Sequence, residues 1–219
     1  MGLNFGQMQQ QVVDRINPQY AGDANFLRRV KAFLNASNRS ISVMRFWPWL
    51  VGPGSASLTA TTTTVSLAAT VRNVFHVWLD SDGTVLTHSP FQREQINQGS
   101  LAQLGRSRPE QWCQLGSTLV VIPYPAGADT LRFLYYAHVV DMVADADEPL
   151  MPDNHRQILV EDACAKLMAG ESFDAGMAKM AWATRNELLR ALMHTSVLAS
   201  PQPSEYMMLR RNVFGGGQL

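Results

Sequence analysis

Apolar residues recur at every second position from Thr130 to His138, with Leu131, Phe133, Tyr135 and Ala137 on one side. Because successive side chains of an extended chain point to opposite faces, this period predicts a β-strand with one apolar face. The residues that follow Asp141 are rich in Ala, Asp, Glu and Pro. Pro149 and Pro152 lack backbone donors, so this acidic connector is predicted to be ordered but not helical.

Helical spacing returns after Pro152 and predicts a helix from about His155 to Gly170. Asp153 or Asn154 can cap its first turn, since their side-chain oxygens accept from backbone N–H groups that lack a partner there. One register puts the apolar residues on a single face and leaves the charged residues outside it. The apolar face holds Ile158, Leu159, Ala163 and Leu167, and Glu161, Asp162 and Lys166 are predicted to lie off it.

Two amino-terminal helices and a long last helix complete the helical prediction. The first is predicted over Phe5–Ile16, the second from a cap at Asp23 to about Met44, and the last from about Phe173 to Val197. An aromatic run over Phe46–Leu50 follows the second helix. These aromatic residues either fill the core where two subdomains join or anchor one subunit on another.

Segments rich in Thr, Val and aromatic residues from Ser55 to Pro125 predict a β subdomain. Asp82 and Gly83 predict a tight hairpin turn, because Gly tolerates the positive φ that such turns require. The polar stretch from Ser89 to Glu110 fits either a short helix or a long loop. The predicted fold class is therefore α+β: a helical bundle of residues 1–50 and 153–200, with an inserted antiparallel β subdomain and its connector over residues 51–152.

Residues 201–219 are predicted to form an extended docking tail. Pro201 and Pro203 break the last helix, and the residues that follow are too apolar for a segment that trails in water. A short segment cannot bury them alone, so the tail either folds back on the domain or, as we expect, docks on another chain. Its candidate contact residues are Tyr206, Met207, Met208, Leu209, Arg210, Arg211 and Phe214.

The chain carries 18 basic and 18 acidic residues, so its formal net charge is zero. A neutral protein has no global field that draws it onto nucleic acid or anionic lipid, so any DNA contact would be local. Basic residues crowd the first fifty positions, whereas acidic residues crowd the connector. This asymmetry suits subunits that meet head to tail, with Arg28, Arg29 and Lys31 as candidate contacts; two solvated faces are the alternative.

The sequence carries no common catalytic or cofactor-binding motif. It lacks GxxxxGKS/T, GxGxxG, GxSxG and HExxH, and its histidines fall in different predicted elements. Cys113 and Cys164 lie far apart and outside any CxxC, so neither a disulfide framework nor a zinc site is expected. The connector carboxylates could bind a hard cation, but they lack the glycine and terminal glutamate of a calcium loop and fit a solvated segment better. We therefore expect no enzyme, no metal and no cofactor.

Apolar runs in the sequence fall short of the roughly 20 residues that span a bilayer. The amino terminus lacks the charged, apolar and small-residue order of a secretory signal. A protein of the cytoplasm with no membrane partner is the expectation.

The helices, the β subdomain and one long run of sequence together resemble a tailed-phage head-to-tail adaptor. The resemblance covers most of the chain, and its pattern is similar to the tail tubular protein A group of short-tailed phages. Structural rather than catalytic residues carry it. These are Trp112, Leu119–Pro125, Leu131–Tyr136, Pro152 and the helix from His155.

That resemblance implies a structural protein of the virion neck, assembled in the host cytoplasm. Twelve copies would form a ring beneath the portal, with their helices on the portal protein and the β subdomain as a platform for a tail or nozzle protein. DNA would pass through the central channel without sequence-specific binding. The segment 201–219 would reach along the portal.

Two other classes of function stay open at this point. A β-sandwich module that binds a host surface or a carbohydrate would place exposed aromatics in a groove, with Trp78, Tyr135 and Tyr136 as candidates. A small hydrolase with a dispersed site is the other class.

Overall fold

The computed structural model describes residues 2–60, 64–89, 106–170 and 175–199. The chain divides into two compact units: Met1–Trp49 with Asp141–Leu219, and Leu50–Val140. The first unit is helical and the second is built from strands. The predicted α+β class is confirmed.

The acidic connector of residues 141–152 lies with the helices, whereas the sequence pattern grouped it with the β subdomain. Its backbone pairs with the start of the first helix: Phe5 N donates to Asp147 O at 2.8 Å, and Gly6 N donates to Asp145 O at 2.9 Å. Free N–H groups at the beginning of a helix need acceptors, and the connector supplies two of them. These bonds explain why the connector belongs to the helical unit.

Helix α1 (Phe5–Ile16) has the predicted bounds. Asn4 and Gln7 cap it reciprocally: Gln7 N donates to Asn4 Oδ1 at 2.9 Å, and Asn4 N donates to Gln7 Oε1 at 3.0 Å. Its apolar face is buried. That face consists of Phe5, Met8, Val12 and Val13.

Helix α2 (Ala24–Val43) follows, and Asp23 is its N-cap as predicted. The Asp23 carboxylate accepts from two backbone N–H groups of the first turn, at 2.8 and 3.1 Å. Beyond the helix, Trp47 is fully buried, and its indole Nε1 donates to Ile41 O at 2.8 Å. Trp47 therefore anchors the aromatic run in the helical unit, while the neighbouring Phe46 is exposed.

Helices α3 (Gln157–Gly170) and α4 (Ala175–Ala199) complete the helical unit. Helix α3 begins two residues later than predicted, because a 3₁₀ turn, Asp153–His155, precedes it. The predicted side-chain cap is absent from that turn, and Asp153 pairs with Arg156 instead. Helices α1, α2 and α4 all pack against α3, which makes α3 the central helix.

The prediction that α3 has a charged side outside the core was wrong. Glu161 and Asp162 are as buried as the apolar residues beside them, and Lys166 is half-buried. A helix that contacts three others has no solvent side, so its polar residues must find partners in the interior. The buried residues of α3 are Ile158, Leu159, Val160, Glu161, Asp162, Ala163, Cys164, Ala165, Leu167 and Met168.

The described part of the β unit contains nine strands in three sheets. They are β1 (Val51–Leu58), β2 (Thr64–Ser66), β3 (Val71–Leu79), β4 (Thr87–His88), β5 (Arg106–Ser107), β6 (Gln111–Leu115), β7 (Thr118–Ile122), β8 (Tyr124–Pro125) and β9 (Asp129–Ala137). The sheet orders are β1-β9-β3, β2-β7-β6-β4 and β5-β8. The longer pairs are antiparallel as predicted, but β4 with β6 and β5 with β8 are parallel.

Side chains from the two larger sheets form one apolar core. Its members are Leu58, Val65, Leu67, Val74, Val77, Leu79, Leu86, Trp112, Leu119, Val121, Leu131 and Phe133. Gly54 lies beneath the Phe133 ring, where a Cβ atom would be 2.3 Å from Phe133 Cε2.

The predicted turn after β3 is confirmed, with Gly83 at φ 69° and Thr84 N donating to Asp82 Oδ1 at 2.9 Å. Across the described ranges, the helices are too short or too polar to cross a membrane.

Candidate assembly interface

The basic face of α2 and the acidic connector meet within one chain. Arg39 Nη1 donates to both carboxylate oxygens of Asp141, at 2.6 and 2.5 Å. Lys31 Nζ lies 3.5 Å from Asp145 Oδ1. The folded connector thus brings its carboxylates to Lys31 and Arg39 of the same chain. A contact of Lys31 with another chain stays a prediction.

Arg28 and Arg29 are exposed near the start of α2, one turn before the residues that hold the connector. Their contact with another chain stays a prediction. The remaining candidate contacts lie outside the described residues. These are Tyr206, Met207, Met208, Leu209, Arg210, Arg211 and Phe214.

The connector is fixed by hydrogen bonds of its own as well as by ion pairs. Asn35 and Met142 exchange two bonds of 2.9 Å between the amide side chain and the backbone. The Asp147 carboxylate accepts from Val143 N at 2.7 Å and Ala144 N at 2.9 Å. These two bonds lower the pKa of Asp147, since they stabilise its charged form. The connector therefore presents a defined surface.

Arg156, just before α3, is the residue that the sequence pattern missed. Its guanidinium donates to the carbonyl oxygens of Leu3, Pro149 and Met151 at 3.0 to 3.3 Å. It also pairs with Glu148 at 3.0 Å, and its side chain is only 7% exposed. The N–H groups of this one guanidinium thus hold the amino terminus and the connector against the start of α3. A single arginine after an acidic, proline-rich segment was the available signal.

Glu161 and Asp162 join α3 to its neighbours by ion pairs whose carboxylates are buried. Arg15 of α1 pairs with Glu161, and Gln157 donates to the same carboxylate at 3.2 Å. Arg185 of α4 donates through Nε to Asp162 Oδ1 at 2.9 Å. Successive helical residues are turned by about 100°, so the two carboxylates face different helices.

The pKa of Asp162 is set by two opposing effects. Burial raises it, whereas hydrogen bonds from Lys166 and Ser37 and the charges of Lys166 and Arg185 lower it. The lowering is larger, so the pKa lies below its ordinary value of 3.8. Lys166 Nζ is 2.5 Å from Asp162 Oδ2. Asp162 is therefore ionised at neutral pH and links α3 to α2 and α4.

The side of α4 that faces away from α3 exposes both apolar and basic residues. Met180 is 72% exposed and Met177 is 45% exposed. Lys179 and Arg190 are exposed on the same helix. The opposite side is buried against the helical unit through Ala178, Ala181, Leu189 and Leu192. Helix α4 thus presents large apolar side chains among cations to its surroundings.

The described residues offer little chemistry of the kind that enzymes use. Among them, no group of three or more His, Cys, Asp or Glu side chains is placed to hold a metal ion. Both cysteines are buried. Burial and the charge of Glu161 raise the pKa of Cys164 to about 12, and burial raises the pKa of Cys113. Both thiols are therefore protonated and unreactive at neutral pH.

The aromatic residues considered for a carbohydrate groove do not share one face of the sheet. Tyr135 packs against the core of the β unit, with its ring 6.0 Å from that of Phe133. Tyr136 follows it on β9 and points to the other face, where its ring is 4.7 Å from that of Phe75. Trp78 opposes Arg132, four residues along β9 from Tyr136. The three aromatics do not form a single platform.

Comparison with known proteins assigns the chain to a family. The SU10 adaptor protein family matches residues 3–206, which takes in both compact units. No curated protein gives a significant match. A match over most of the chain agrees with the ordered charged and apolar surfaces described above. The chain belongs to the SU10 adaptor protein family and is a structural adaptor protein of a phage.

Proposed function

We propose that this adaptor joins the phage head to the tail as a ring of copies beneath the portal. The family match over residues 3–206 carries the proposal, because it includes the helical unit and the β unit together. In this arrangement the helical unit contacts the portal protein, and the β unit offers a platform to a tail or nozzle protein. Twelve copies in the ring is the number that the sequence resemblance suggests.

Contacts with the portal come from two places on the chain. Arg28 and Arg29 are exposed on α2, one turn before the residues that hold the connector. The segment 201–219 supplies Tyr206, Met207, Met208, Leu209, Arg210, Arg211 and Phe214. Aromatic, Met and Arg side chains are enriched at protein interfaces, which fits a docking role for this segment.

The proposed role is structural, without catalysis and without a cofactor. DNA passes through the channel of the ring without sequence-specific binding, and the zero net charge of the chain gives no global field that would hold the DNA there. The protein belongs to the virion neck and assembles in the host cytoplasm. The narrower likeness to the tail tubular protein A group stays a prediction.

The proposal is tested by mixing the purified adaptor with the portal protein of the same phage, followed by size exclusion. We expect the full chain to elute with the portal. A variant that ends at Ser200 should not, and an Arg28→Glu, Arg29→Glu variant should bind more weakly. The matched control, Arg28→Lys with Arg29→Lys, keeps the charge and should bind as the wild type does. Separate elution of the full chain and the portal would contradict the proposal.

A further inference from the structure

We propose that neighbouring copies meet through the outer face of α4 on one copy and the acidic connector on the next. The outer face is defined here by Lys179, Met180 and Arg190, and the connector by residues 141–152. This inference rests on the proposed ring and names the two surfaces that build it.

Both surfaces expose large apolar side chains. Met180 lies on the outer face and is 72% exposed, and on the connector Val143 is 78% exposed and Leu150 is 55% exposed. The connector is ordered by Asn35, Asp147 and Arg156, so its apolar residues are held in water by a fixed backbone. Apolar residues that a rigid segment holds in solvent mark a contact site, since their burial against a partner is favourable.

The charges of the two surfaces are complementary. The connector and the adjoining Asp153 have five carboxylates and no Lys or Arg, and these are Asp141, Asp145, Asp147, Glu148 and Asp153. Lys31, Arg39 and Arg156 of the same chain pair with them, which leaves an excess of two negative charges (five minus three). The described part of α4 has three cations and one carboxylate, and Arg185 alone among its cations is used by Asp162. Lys179 and Arg190 remain exposed on α4.

The two surfaces lie on different sides of the helical unit. The connector bonds to α1 and α2, through the start of α1 and through Asn35 and Arg39. Helix α4 packs on α3, where Asp162 faces Arg185 while Glu161 faces α1. A contact between two different patches is heterologous, and such contacts close into rings when the rotation between copies allows it. A second copy of this chain is therefore the occupant that both surfaces fit.

The inference is tested by cross-linking single-cysteine additions in the full chain. Met180→Cys and Val143→Cys are made in separate proteins carrying different tags, which are mixed and treated with a short bismaleimide. Cys113 and Cys164 are buried and do not interfere. We expect the mixed pair to link at least tenfold faster than Met180→Cys with Val85→Cys, an exposed control in the β unit. A protein with both new cysteines should give a ladder of multimers.

Equal rates for the Val143 and Val85 partners would overturn the inference. So would cross-links from Met180→Cys to the portal protein in preference to the adaptor. A second pair of variants makes the test independent of cysteine reactivity. Met180→Asp removes the outer face of α4 and Val143→Asp removes the connector surface, so each variant keeps one surface. A mixture of the two can form one contact only and should therefore stop at dimers. Formation of larger rings by that mixture would also overturn it. If the adaptor still elutes with the portal, only these surfaces are wrong; if it does not, the proposed function itself fails.

Discussion

Arg185 Nε donates to Asp162 Oδ1 at 2.9 Å, and the carboxylate that it binds is fully buried in the central helix. The pair joins α4 to α3 at the point where Lys166 and Ser37 also meet the carboxylate. A buried ion pair fixes the geometry of its elements even where its net contribution to stability is small, because either partner alone would be costly. The orientation of α4, and with it the exposed methionines, depends on this contact.

Replacing Asp162 with Asn should destabilise the helical unit. The substitution keeps the shape of the side chain but leaves Arg185 and Lys166 without their anion, at a cost of about 3 kcal/mol in the free energy of unfolding. Urea unfolding followed by helical circular dichroism measures the change. Glu187→Gln on the exposed side of α4 is the control, with an expected change below about 0.5 kcal/mol. Equal stability of the two variants would mean that the Asp162 carboxylate does not stabilise the helical unit.

The same carboxylate predicts the direction of the pH dependence. The pKa of Asp162 in the folded protein is below its ordinary value of 3.8, so its contribution to stability is fully present above that value. It is lost as the pH falls through the lower folded pKa, since protonation then removes the bound anion. Over this acidic range, the melting temperature of the wild type should fall more steeply with decreasing pH than that of Asp162→Asn. Parallel curves would contradict the assignment.

Arg156→Ala should loosen the connector without unfolding the helices. It removes the donors to three carbonyl oxygens and the partner of Glu148. Hydrogen exchange of the connector amides should rise at least tenfold, and Arg156→Lys should restore only part of the protection because Lys lacks the planar fork. Arg39→Ala removes an exposed pair and should change little. Unchanged exchange in Arg156→Ala would show that the connector is held elsewhere.

Gly54→Ala should destabilise the β unit. The new Cβ would meet the Phe133 ring at 2.3 Å, so β1 or the ring must shift, at a cost of about 1 to 3 kcal/mol. Gly127→Ala is the matched control, because no atom lies within 4 Å of its Cβ position. Thermal melts of the two variants, compared with the wild type, check the prediction. A Gly54→Ala protein as stable as Gly127→Ala would refute the close packing at this site.

Local patterns predicted the elements whose signals are local. Asp23 caps α2 because its carboxylate reaches N–H groups two and three residues ahead, and Gly83 forms the turn after β3 because of its own φ. The strand β9 and the helix α1 follow in the same way from periods of two and of about four residues. These features depend on residues that are close in sequence.

The features that sequence reasoning missed depend on partners far along the chain. Buried Glu161 pairs with Arg15, which is 146 residues away in the sequence. Buried Asp162 pairs with Arg185, which is 23 residues away. Charged residues on a helix predict a solvent face unless the cations of neighbouring helices are known to meet them. The intrachain pairing of Lys31 with Asp145 was missed for the same reason, since the opposite charges also fit a contact between subunits.

Assembly of this protein on the portal as a ring can be tested by the native mass of the portal–adaptor complex. We expect a single species whose mass, less that of the portal, is a whole number of adaptor copies, with twelve as the expected number. The wild type and the Gly127→Ala control should give the same species. A portal that carries no adaptor, or a continuous range of copy numbers, would contradict the proposed ring.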